Sequence, residues 1–460
     1  MNEMKRATKA AVICYGFGDM ASQFVWTFVG SYLTIFYTDV VGLAPVVIST
    51  IMLAARIWDA FNDPMMGAIA ERSRSKFGRF RPWIAFGCPV LAVFGVLTFT
   101  NPFSGTSTAG ILWAAVTYII AGMLYTLVNI PYGALPAVMS EDAGQRTKMN
   151  VSRNIGMNVG MLIVNVATAG LALHFSQAGA KVADGHGYMM TAVVYGIVSI
   201  PLFLIVFFTA KEVIMPTEKP AKFSMKDTVG NLVKNKYLMI VSLVMLLVMT
   251  AYMGRIAVTA YYVIYCLGSY SLIAVIMTIP SIGSIIGSLF VPMLTKKFGK
   301  RNIFILSAIV DGIALLIIYF IPFDNMPLII AGHCLFGIFN FAMPLSLSMV
   351  ADSVDYMEYK TGVRTDGTAY ATYGLATKVG NAIGGSAGVL LLAAFGYVAN
   401  AEQTVATQNG INVVVNLAPA ILYFLAALAL LLWKMTDKEA DEMRQELSER
   451  RNKKNVEAAK

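Results

Sequence analysis

Long apolar runs, each ended by a short polar break, repeat along the whole 460-residue chain. A helix needs about 20 mostly apolar residues to cross a bilayer. Twelve runs reach that length: 11–38, 45–71, 82–100, 109–139, 148–174 and 188–210, then 238–267, 271–295, 302–322, 327–353, 366–397 and 412–435. The pattern predicts an all-α membrane protein with twelve transmembrane helices. The first run is too long for the apolar core of a cleavable signal, and no small-residue cleavage site follows it. The longest polar break divides the runs six and six. The chain therefore reads as an N-terminal bundle over 1–210, a central loop over 211–237, a C-terminal bundle over 238–435 and a tail over 436–460.

The halves echo one another. "RSRSKFGRFRP" (72–82) follows the second run, and "TKKFGKRN" (295–302) follows the eighth, its equivalent in the second half. Matched basic loops with a glycine suggest a duplicated unit. Basic residues crowd alternate loops, the N-terminus and the tail, and the opposite side carries only Lys181. This bias puts both termini in the cytoplasm.

Composition agrees. Hydrophobic residues make up 57% of the chain and charged residues 13%, against about 25% charged in soluble proteins. The net charge of +9 follows the basic loops, so nucleic acid is not an expected partner. Cys14, Cys88, Cys266 and Cys334 lie in apolar runs without metal-ligand spacing and read as buried free thiols. None of the three histidines has ligand spacing either.

Charges inside the runs carry the chemistry, since a carboxylate at the bilayer centre costs about 2.5–3.5 kcal/mol. In "RIWDAFNDP" (56–64), Asp59, Asn62 and Asp63 stand at i, i+3 and i+4 and share a helix face, with Arg56 one turn earlier able to pair with Asp59. A structural ion pair needs one carboxylate, and this helix supplies two plus an amide oxygen. Close-set oxygens suit a small hard cation such as sodium, and paired carboxylates also suit a proton. On the first run Tyr15, Asp19, Gln23 and Trp26 form a polar and aromatic stripe, which suits a sugar with its CH faces and hydroxyls. "YTLVNIPYGAL" (125–135) adds Tyr125, Thr126, Asn129 and Tyr132, and Arg153 opens the fifth run. In the second half Arg255, Asp311 and Lys378 are isolated charges at membrane depth. Arg255 and Asp311 either neutralise each other or serve the substrate.

The segments "YGFGD" (15–19), "FYTDVVGL" (36–43), "RIWDAFNDPMMG" (56–67), "RSRSKFGRFRPWI" (72–84), "YTLVNIPYGAL" (125–135) and "VADSVDYMEYKTGVRTDGTAY" (350–370) resemble the glycoside–pentoside–hexuronide:cation symporters. These are the branch of the major facilitator superfamily that includes melibiose permease. The likeness runs in order from the first run to the eleventh. It implies two six-helix bundles that rock about a midplane site in a bacterial plasma membrane and carry a sugar with sodium or a proton, without any other cofactor. By position, Asp59, Asn62, Asp63 and Thr126 match the cation site. Tyr125, Arg153 and Lys378 match residues near the sugar and cation pockets. Asp352, Asp355, Glu358 and Arg364 match a charged inward gate, with which Arg56 is grouped.

Departures bear on the substrate. Gln23 and Asn129 stand where melibiose permease has sugar-binding aspartates, and Gly133 stands at a tryptophan position. Fewer carboxylates and an added Arg255 make the pocket less hostile to an anionic sugar, and the pattern looks nearer the pentoside and glucuronide members. A carrier of a non-sugar amphiphile such as a lysolipid, or a sensor that binds sugar without moving it, stays open at this point. No nucleophile–base set or phosphate-binding loop points to an enzyme. Twelve helices can work as a monomer.

Overall fold

A computed structural model describes residues 7–140, 142–213, 235–362 and 366–458. Those residues are helical with no strand among them. In chain order the helices are α1 (Lys9–Cys14), α2 (Gly16–Ile35), α3 (Pro45–Arg72), α4 (Arg81–Thr98), α5 (Thr108–Met139), α6 (Ala143–Phe175) and α7 (Gly185–Thr209). There follow α8 (Lys236–Tyr261), α9 (Leu272–Phe298), α10 (Lys300–Phe320), α11 (Met326–Phe339), α12 (Ala342–Thr361), α13 (Asp366–Ala394), α14 (Val405–Asn412), α15 (Ala418–Leu430) and α16 (Asp437–Ala458). Among the described residues nine helical stretches are long and apolar enough to cross a membrane. The outward faces carry what a soluble protein would hide: Phe86 is 69% exposed and Leu289 and Phe320 are each 74% exposed, as lipid-facing side chains would be.

Local chemistry fixes the helix ends. Pro45 begins α3 with a φ already suited to the first turn. Ser107 and Asp184 cap α5 and α7 by accepting from the N–H groups of Gly110 and Gly187. Gly362, at φ +73°, closes α12 in the left-handed conformation.

Two expected spans differ from the structure. The run 327–353 is broken at Asn340, between α11 and α12. The break leaves carbonyls without helical partners, and Ser307 donates to Phe339 O while Ser284 donates to Asn340 O, both at 2.6 Å. Serines from neighbouring helices therefore make the interruption tolerable at membrane depth. The last run starts at Val405, not at 412, and two buried asparagines within it donate to neighbours. Asn412 donates to Tyr319 O at 2.9 Å, and Asn416 donates to Asn412 Oδ1 at 2.8 Å.

Two compact units emerge. The first comprises Met1–Lys222, Ile256–Ser281 and Ser386–Ile411, and the second comprises Phe223–Arg255, Ile282–Gly385 and Asn412–Lys460. In the first unit, segments 256–281 and 386–411 from the second half of the chain thus pack with the first half. In the first unit Phe28 stacks on Phe99 at 4.1 Å, among Tyr32, Phe36 and Tyr188. In the second, Val241, Phe304, Leu315, Phe336 and Met349 are fully buried.

The repeated loops repeat in detail, each within its own unit. Gly78 and Gly299 take φ +108° and +81°, which favours glycine. Glu212, just after α7, accepts from the N–H groups of Arg79, Phe80 and Arg81 at 2.7–3.0 Å. Asp437, after α15, accepts from Lys300 N at 2.9 Å. Arg81 donates to Phe207 O, and Arg301 donates to the carbonyls of Leu430 and Leu431. Each unit therefore ties a basic loop to a helix end far along the chain.

Candidate functional site

Within the first unit α3 turns its charged face toward α5. Arg56 Nη1 lies 3.1 Å from Asp59 Oδ2, and Arg56 Nη2 donates to the Tyr118 hydroxyl at 3.1 Å. Thr126 Oγ1 donates to Asp63 Oδ1 at 2.9 Å. Asn62 is fully buried, and neither its amide oxygen nor its nitrogen makes a hydrogen bond. A Cβ at Gly122 would stand 3.6 Å from Asp59 Oδ1, so α5 passes close to that carboxylate. Two carboxylates, a hydroxyl and a buried amide are all hard oxygen donors, and so fit a cation carried as cargo. Among the described residues no group of three or more His, Cys, Asp and Glu is placed to hold a metal ion.

The aromatic stripe joins this face. The Arg56 guanidinium lies 5.1 Å from the Trp26 ring centre, and Trp26 stacks on Tyr125 at 4.5 Å. Tyr125 immediately precedes Thr126, so one continuous set of contacts runs from the α3 carboxylates to α2.

One turn away, Tyr15 and Tyr132 lock α2 to α5. Each hydroxyl donates to the other's backbone carbonyl, at 2.7 and 2.6 Å, and the rings stack at 4.6 Å. Asp19 N donates to the Tyr132 hydroxyl at 3.2 Å. The Asp19 carboxylate takes Arg153 Nε at 2.6 Å, and the guanidinium lies 5.2 Å above the Tyr132 ring centre. Gly133 leaves it room, since a Cβ there would approach Arg153 Nη1 to 3.4 Å. Asn129 donates to Ser22 Oγ at 3.1 Å, and Gln23 accepts from Thr27 Oγ1 at 2.6 Å. Thirteen of the expected residues thus lie in one unit: Tyr15, Asp19, Gln23, Trp26, Arg56, Asp59, Asn62, Asp63, Tyr125, Thr126, Asn129, Tyr132 and Arg153.

The second unit holds the remaining expected residues. Arg255 is 5% exposed and lies 4.7 Å from the Phe336 ring centre, with Asp311 and His333 fully buried in the same unit. Lys378 is exposed on α13. Asp352 pairs with Lys300 and lies 3.5 Å from Arg444 Nη2, while Arg444 Nε lies 3.9 Å from Asp355. Glu358 sits one turn further along α12, and Arg364 lies outside the described residues.

Sequence reading missed two partners. Arg444 comes from α16, a tail helix assigned no role. Asp39, in the π-helical turn 36–40, accepts from Thr38 Oγ1 at 2.6 Å and from the hydroxyls of Tyr265 and Tyr397. Asn400, at φ +56°, donates its N–H to the Tyr265 hydroxyl at 3.2 Å. All of these belong to the first unit. A carboxylate ending an otherwise apolar helix was the signal available in the sequence.

Residues 14–437 match the family model described as MFS/sugar transport protein. The chain belongs to that family. It is a membrane transporter of the major facilitator type rather than an enzyme. The chain is 31% identical to the putative glycoside/cation symporter YagG of Escherichia coli strain K12, over 97% of this chain and 96% of that one. It is 30% identical to the isoprimeverose transporter of Lactiplantibacillus pentosus, over 96% and 92% of the two chains. Among solved structures, a bacterial homologue of the human lysosomal transporter Spinster superposes with a TM-score of 0.65 at 13% identity, covering 94% of this chain and 97% of that one. That likeness concerns the fold alone.

Proposed function

We propose that this sugar transport protein couples entry of a glycoside or related sugar to inward flow of sodium or protons by alternating access. The carrying observation is the contact chain from Asp63 and Thr126 through Tyr125, Trp26 and Arg56 to Asp59. A cation held by Asp59 and Asp63, with Asn62 and Thr126 beside them, bears directly on the aromatic surface offered to the sugar. Each ligand then favours the other's binding, a reciprocal coupling typically of about 1–3 kcal/mol. Tyr15, Gln23, Asn129, Tyr132 and Arg153 line the sugar side, and the family resemblance makes Lys378 a further candidate.

The proposal puts both termini in the cytoplasm, which the positive loops favour, and has twelve spans in two six-helix bundles working as a monomer in a bacterial plasma membrane. In that orientation Asp39 and its tyrosine partners form the outer gate, while Asp352, Asp355, Glu358, Arg364 and the tail's Arg444 form the inner one. Uptake of neutral glycosides and pentosides into proteoliposomes, under an imposed sodium or proton gradient, tests the proposal. Accumulation under one gradient is expected. Equilibration without accumulation would make the protein a facilitator, and the cation role would fall.

A further inference from the structure

In the first unit Asp59 faces Arg56, Asp63 accepts from Thr126 Oγ1, and Asp19 faces Arg153.

The Asp19–Arg153 pair is itself built in. The Asp19 side chain is 7% exposed and that of Arg153 is 34%. Asp19 occupies the Nε edge of the guanidinium at 2.6 Å, and its second oxygen lies 3.5 Å from Nη2. Tyr132 covers one face, and Tyr132 is held in turn by Tyr15 and by Asp19 N. Arg153 is left with donors on its exposed side but without net charge to offer. A sugar carboxylate would have to strip Arg153 from a buried aspartate, which would then stand uncompensated, or bind beside a like charge. A hydroxyl needs neither.

We propose that Asp19 is a specificity-determining residue: by neutralising Arg153 and fixing its orientation, it makes the site select uncharged glycosides over sugar acids. This rests on the transport reading above and goes beyond it by naming the substrate class. It also reverses the expectation from sequence that the pocket tolerates an anionic sugar.

The test compares methyl β-glucoside with methyl β-glucuronide on the purified full-length protein, by calorimetric binding and by proteoliposome uptake. Wild type should favour the glucoside. Asp19→Asn should shift the binding ratio toward the glucuronide by about tenfold or more, because an unpaired guanidinium gains a charge-assisted partner. Asp19→Glu should keep the neutral preference, and the double variant Asp19→Asn with Arg153→Gln should move the ratio back. An equal loss of both ligands in Asp19→Asn would mark the pair as structural and overturn the proposal. So would a wild type that prefers the glucuronide. The expected binding shifts without accumulation of either sugar would sustain the specificity claim and refute the transport reading instead.

Discussion

Replacing Arg56 by glutamine removes the positive charge that stands 3.1 Å from Asp59. If Asp59 and Asp63 hold the transported cation, Arg56 competes with that cation for one of its ligands. The Arg56 and Asp59 side chains are 28% and 20% exposed, so neither is fully desolvated. Opposite charges about 4 Å apart attract by about 4 kcal/mol at an effective dielectric of about 20. Hydrogen bonds to charged groups contribute roughly 1.5–3 kcal/mol net, and partial exposure favours the smaller range. At about 1.4 kcal/mol per tenfold, Arg56→Gln should tighten cation binding by about tenfold to a hundredfold. Arg56→Lys, which keeps the charge, should change it much less. Sodium or proton titration of the detergent-solubilised protein by calorimetry reads the effect. Weaker cation binding in Arg56→Gln would refute competition and make Arg56 an organiser of Asp59, Tyr118 and Trp26.

Three further outcomes follow from the geometry. A Cβ at Gly156 would stand 1.9 Å from Gly16 O, so Gly156→Ala must push α6 away from α2 and lower the melting temperature, at a cost of about 1–3 kcal/mol; an unchanged melt contradicts that packing. Burial pushes the Asp184 carboxyl up, but hydrogen bonds from the Gln177 and Gly187 N–H groups outweigh it and hold the carboxyl below the usual carboxylate range. The cap's contribution is therefore full above the ordinary aspartate pKa and is lost as pH falls through the lowered value; Asp184→Ala should cost about 1 kcal/mol at neutral pH and flatten the acid limb of a thermal-stability profile. Asp39→Asn should loosen the outer gate, raising the labelling rate of a cysteine introduced beside Tyr265; labelling no faster than in the parent would remove Asp39 from that role.

What the sequence revealed was local and periodic. Apolar run lengths located the helices, and the spacing of Asp59, Asn62 and Asp63 placed them on one face before any neighbour was known. The glycine in each basic loop signalled the repeated turn, which carries a positive φ at both Gly78 and Gly299. What it concealed depends on partners far along the chain. Asp19 reads as one polar residue in a stripe, yet its meaning comes from Arg153, which arrives on another helix. The break at Asn340 is invisible because Ser284 and Ser307, which satisfy its carbonyls, belong to other helices. The Asp39 cluster gathers residues from three distant segments, so only the carboxylate end of it stands out in the sequence. Arg444 lies in a tail so polar that it reads as solvated, although it reaches Asp352 and Asp355.

In the proposed symport one cation crosses with each sugar through Asp59 and Asp63. Sugar-driven cation entry tests it most directly: proteoliposomes with equal sodium and proton concentrations on both sides are given a neutral glycoside outside, and internal sodium and pH are followed. The sugar running downhill should carry one of these cations inward, and Asp63→Asn should abolish the cation movement while the protein stays folded. Sugar entry without any cation movement in wild type would contradict it.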